Sequence, residues 1–142
     1  MPTNNKHTRN IIELKADIRN FKIFMDFIES FLVEMEIGNE IRTQILMASE
    51  EIIVNIINYA YPKDQGDILI EIVLDKEEIT ITFADSGMQF NPLTVPEADT
   101  ELPLEERRTG GLGILMIKKL TDNTEYEYKD GKNYLTITKY LN

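Results

Sequence analysis

The sequence predicts an α+β fold in two layers, a mixed, mostly antiparallel sheet with helices on one face. Strand patterns come mainly as adjacent pairs joined by tight turns, which antiparallel pairing allows, and helical patterns stand between the pairs. Size points the same way. The 142 residues, 42% of them hydrophobic, suit one domain over residues 1–142 that buries a core without cross-links.

Residues 1–9 are polar and are expected to be flexible. Residues 10–16, with Ile11, Ile12 and Leu14, read as a short strand. Asp17 then stands where a cap belongs, for a helix running to about Met35 with Gly38 as its stop signal. Ile18, Phe21, Met25, Ile28, Leu32 and Met35 recur at spacings of three and four, and Phe24, Phe27 and Phe31 broaden that stripe. Asn39 is placed to cap a second helix, which carries Ile45, Ala48, Ile52, Ile53 and Ile56 inward and ends before Pro62.

Ile68, Ile70, Ile72 and Leu74, then Ile79, Ile81 and Phe83, alternate with their neighbours as two strands joined by a turn over 75–78. Residues 91–109 hold Pro92, Pro96, Pro103 and an acidic run without a period, so they read as a mobile loop. Leu112 to Leu120 is helical. Strands 124–128 and 134–141 then meet through Asp130-Gly131, a strong hairpin pair.

Composition narrows the function classes. A formal charge of -10 argues against a nucleic-acid partner, whose phosphates need clustered Lys and Arg. The chain has no cysteine, so neither disulfides nor a Cys-based zinc site is available. No stretch is long and apolar enough to span a bilayer, and residues 1–10 lack an apolar signal region. A cytoplasmic location is expected, with no membrane partner.

Three short motifs then carry chemistry. Glu51-Ile52-Ile53-Val54-Asn55 lies on the second helix, so Glu51 and Asn55 share a face one turn apart. An amide oxygen from Asn55 suits Mg2+, which takes oxygen ligands and completes its shell with water and phosphate. Glu51 stands ready as a base toward a nucleophile attacking a γ-phosphate. Asp85-Ser86-Gly87 ends a strand, where a carboxylate can accept from an adenine amine and a glycine lets backbone approach the purine. Gly110-Gly111-Leu112-Gly113 precedes a helix whose N–H groups can hold phosphates, with Thr109 and Arg107 or Arg108 beside it. In isolation each motif is ordinary: a solvated Glu, a turn, a glycine-rich loop.

In this order the motifs resemble the N, G1 and G2 boxes of the GHKL ATPase superfamily, the Bergerat fold. Within it the chain is most similar to the stand-alone serine kinases that act as anti-sigma factors in bacterial partner switching. The resemblance spans about Ile11 to Leu141. It implies ATP and Mg2+ as cofactors, Glu51 as catalytic base and Asn55 as metal ligand. It also implies a nucleotide site built from Asp85, Gly87, Arg108, Thr109, Gly110, Gly111, Leu112 and Gly113, and an ATP lid over 91–109. By the same resemblance the partners are a STAS-domain anti-anti-sigma protein, a sigma factor and a second copy of the chain. The alternative is a non-catalytic ATP-binding regulator that switches partners without phosphoryl transfer. Tyr59 stands where many of these kinases carry His, and Asn133-Tyr134-Leu135-Thr136 lacks the Gly-Thr pair of some GHKL proteins.

Overall fold

The computed structural model describes residues 7–62, 65–92 and 109–141, with the side chains of 109–113 left out of the description. Strand β1 (His7–Lys15) leads through a single 3-10 turn, Ile18–Asn20, into α1 (Phe21–Glu34) and α2 (Asn39–Tyr59). Then come β2 (Asp67–Asp75), β3 (Glu78–Asp85), α3 (Thr109–Leu120), β4 (Asn123–Lys129) and β5 (Lys132–Tyr140). The five strands form one sheet in the order β1-β2-β3-β5-β4. All four pairings are antiparallel, so the expected α+β sandwich holds while the parallel component of a mixed sheet is absent among the described residues.

Period-two alternation builds the core face. Ile68, Ile70 and Ile72 of β2, Ile79, Ile81 and Phe83 of β3, and Leu135 and Ile137 of β5 are buried together with residues of all three helices. Each such side chain taken fully from water is worth about 1.5–3 kcal/mol. The other face carries the threonines of β3 and β5, where Thr82 and Thr136 sit opposite each other, 3.2 Å between hydroxyls. It also carries Arg9 and Glu71, an ion pair across β1 and β2.

Several boundaries differ from expectation for identifiable reasons. Residues 7–9, expected to be flexible, pair with β2, His7 facing Asp75. Asp17 accepts the Arg19 N–H at 2.8 Å and so caps the 3-10 turn rather than α1. The Arg19 side chain and N–H hold the Asp17 carboxyl down at about 2. Ile18 consequently lies outside the helix, 63% exposed, and the stripe facing the core is Phe24, Ile28, Phe31 and Leu32. The stop of α1 is Glu36, at φ 59, with Glu36 N–H bonded to Val33 and Ile37 N–H to Leu32. That pattern is a Schellman ending, and the buried pair Ile37 and Leu32 closes it. Gly38 instead takes the N-cap of α2, and Asn39 is already helical. The Asp130-Gly131 hairpin has φ 53 and 78, the two positive values a type I′ turn demands.

Candidate nucleotide site

The alternation that buries Ile79, Ile81 and Phe83 places Asp85 on the same face at the end of β3. The corresponding parity on β5 puts Asn133 in line with Leu135 and Ile137. The register sets Asp85 directly opposite Asn133. An apolar layer thus ends in a polar cross-strand pair, at the rim of a cavity between sheet and helices. That cavity is lined by Ile52, Asn55, Tyr59, Phe83, Asp85 and Met88, together with Ile114, Tyr126 and Asn133.

Asp85 is 8% exposed. Its Oδ1 accepts two bonds, from the Gly87 N–H and from Asn133 Nδ2, both at 2.9 Å. Oδ2 takes part in neither. Burial pushes the carboxyl above its ordinary range, and the Asn133 and Gly87 bonds offset part of that.

The turn after Asp85 is clamped on every side. The Ser86 N–H donates to the Tyr61 hydroxyl at 2.7 Å, and that hydroxyl donates to the Asp67 carbonyl at 2.8 Å. The Met88 N–H donates to the Ala60 carbonyl at 3.0 Å. Asn133 donates to the Met88 carbonyl at 2.9 Å and accepts from the Phe90 N–H at 3.2 Å. Gly87 sits where a Cβ would come within 2.2 Å of the Ala60 oxygen. The end of α2 therefore requires glycine here on its own account.

On α2, Glu51 is half-buried while its neighbour Glu50 is exposed. Glu51 does not line the cavity formed by the described residues. Asn55 does, and its Oδ1 is buried without a hydrogen-bond partner. Such an oxygen fits a hard cation, since an unpaired buried carbonyl otherwise costs about 1–3 kcal/mol.

Gly110, Gly111, Leu112 and Gly113, expected just before a helix, lie instead within the first turns of α3, which starts at Thr109. Arg107, Arg108 and the expected lid lie mostly outside the described residues, as 93–108 are not described. Asp122 is structural: its carboxylate accepts the Tyr140 N–H at 2.7 Å and ties the end of β5.

Sequence reasoning missed Tyr61, Tyr126 and Asn133 as site residues. A signal for Asn133 existed, a polar residue on the apolar parity of Leu135 and Ile137, but the opposing Asp85 comes from a strand 48 residues away.

Known proteins resemble this chain in sequence and in fold. A model of the histidine kinase-like ATPase domain matches residues 14–139. The serine-protein kinase RsbW of Bacillus mycoides is 32% identical over 99 residues, 67% of this chain and 61% of the relative. An RsbW of Bacillus cereus is 31% identical over the same shares. The chain thus spans 61% of the length of these curated relatives. Among solved structures, the RsbU and RsbW domains of Rv1364c from Mycobacterium tuberculosis share the fold, with a TM-score of 0.70 and 18% identity. That match covers 94% of this chain and 32% of the other.

Proposed function

The chain belongs to the histidine kinase-like ATPase family, and from that premise we propose that it is an ATP-dependent protein serine/threonine kinase acting as an anti-sigma factor. Its substrate in this reading is a STAS-domain anti-anti-sigma protein, and its second partner a sigma factor. It works in the cytoplasm; among the described residues no helix is long and apolar enough to cross a membrane.

The observation that carries the nucleotide reading is the unpaired buried Oδ1 of Asn55 in the same cavity as Asp85. Asn55 would hold Mg2+, which when bound neutralises charge on the phosphate oxygens. Asp85 would accept from the adenine amine through Oδ2. The backbone N–H groups opening α3, with Thr109, Gly110, Gly111, Leu112 and Gly113, would meet the phosphates at the positive end of the helix dipole. Arg108 would add charge there. Glu51 would take the proton of the acceptor hydroxyl as its oxygen bonds to the γ-phosphorus and the bond from that phosphorus to the β,γ-bridging oxygen breaks, releasing ADP.

One observation favours a second reading, an ATP-binding regulator without phosphoryl transfer: Glu51 stands outside the cavity wall formed by the described residues. Incubation with radiolabelled Mg-ATP and a STAS-domain protein separates the two. Transfer that falls about 100- to 10,000-fold in Glu51→Ala, with ADP binding kept, is expected of the kinase. Nucleotide binding with no transfer by the wild type would leave only the regulator.

We further propose a homodimer. Among the described residues β1 is an edge strand with one side unpaired, and Ile11 on it is 46% exposed on the face of the sheet that no described helix covers.

A further inference from the structure

We propose that Asn133 is a positioning residue that gives the site its preference for a 6-amino purine, acting through Asp85. The inference rests on the adenine reading above and assigns the discrimination to a residue outside the three sequence motifs.

Asn133 uses its whole hydrogen-bonding capacity at this one place. Nδ2 donates to Asp85 Oδ1 and to the Met88 carbonyl, and Oδ1 accepts from the Phe90 N–H and the Tyr126 hydroxyl. Two donations and two acceptances exhaust an amide's usual set. The orientation is locked, because a flipped amide would turn its oxygen onto a carboxylate and a carbonyl while its NH2 faced an N–H donor.

The lock passes to Asp85. With Oδ1 fixed by donors from two sides, the Asn133 amide and the Gly87 N–H, the carboxylate cannot turn about its Cβ–Cγ bond without breaking both. Oδ2 is then the oxygen left free to accept, on a residue that lines the cavity. A fixed acceptor distinguishes a purine with a donor at position 6 from one without it, because a buried polar group left unpaired is penalised in full. A carboxylate held by Gly87 alone could rotate and meet either kind of base with water. Asn133 has a competing role as a strut joining β5 to the turn at Met88 and Phe90, and a strut would serve every purine equally.

That difference sets the experiment. Dissociation constants of the full chain are measured by calorimetry for ADP and for purine riboside 5′-diphosphate, which has hydrogen in place of the amine. The proteins are the wild type, Asn133→Ala and Asn133→Asp. Asn133→Asp keeps the shape and the accepting oxygen, but it replaces the donations with a negative charge set against Asp85, so Asn133→Ala is the variant that removes the donations without adding charge. Both variants are expected to weaken ADP by about tenfold or more and the analogue by less than about twofold. Equal weakening of the two ligands, or unchanged ADP affinity in folded variants, overturns the proposal. Should both variants fail to fold by circular dichroism, Asn133→Ser retains one donor; an intermediate ADP preference is expected of it, and a wild-type preference overturns the idea. A wild type that binds the two ligands equally defeats the adenine reading itself, before any variant is made.

Discussion

Burial holds the Asp85 carboxyl above its ordinary range even though it accepts two hydrogen bonds. A carboxyl whose folded pKa exceeds its unfolded one binds more protons when folded, so its contribution is intact below the unfolded pKa and is lost as pH rises through the folded pKa. Asp85→Asn removes the buried charge, and its amide oxygen can still accept from Gly87 and Asn133. The expected result is a higher melting temperature than wild type at pH 7 without nucleotide, a gap that narrows toward pH 4, and weaker ADP binding by calorimetry. Gly87 allows a second test. Gly87→Ala drives a methyl into the Ala60 carbonyl, and overpacking of this kind costs about 1–3 kcal/mol. The nucleotide-free protein should melt lower. A glycine needed only for purine approach would leave that melting temperature unchanged.

Among the elements, the junction of α1 and α2 departs most from its local sequence preferences. The left-handed position is held by Glu36 at φ 59, and the N-cap of α2 by Gly38, which makes no side-chain capping bond. Both positions invite exchange of residue type. Glu36→Gly relieves a side chain held in the left-handed region and should stabilise by up to about 1 kcal/mol. Gly38→Ser supplies a capping hydroxyl where a Cβ meets nothing within 4 Å, for a gain of roughly a few tenths of a kcal/mol. Chemical denaturation would register each as a raised midpoint at constant slope.

For the whole molecule, among the described residues the sheet has helices on one face and two edge strands, β1 and β4. The β1 edge carries the proposed dimer. Light scattering at micromolar concentration should give about twice the 16.5 kDa chain mass. Ile11→Lys places a charge in the exposed apolar position and should shift the mass toward one chain while leaving ADP affinity unchanged.

The sequence by itself determined the elements whose signals are local. Alternation in Ile68 to Leu74 and Ile79 to Phe83, the Asp130-Gly131 turn and the four-residue spacing of Glu51 and Asn55 each need only a few neighbouring residues to be read. Burial of one sheet face follows from the same patterns. Local pattern did not decide whether Asp17 would cap a 3-10 turn or a helix, nor that Glu36 rather than Gly38 would end α1, because the burial of Ile37 and Leu32 in the core is not written in the residue type at one position. The partners of Asp85 were beyond reach for a stronger reason. Ala60, Tyr61 and Asn133 come from segments that lie far from Asp85 along the chain or on another element, and only the register of β3 against β5 and the seating of the α2 end bring their hydrogen-bonding groups to one carboxylate and one turn.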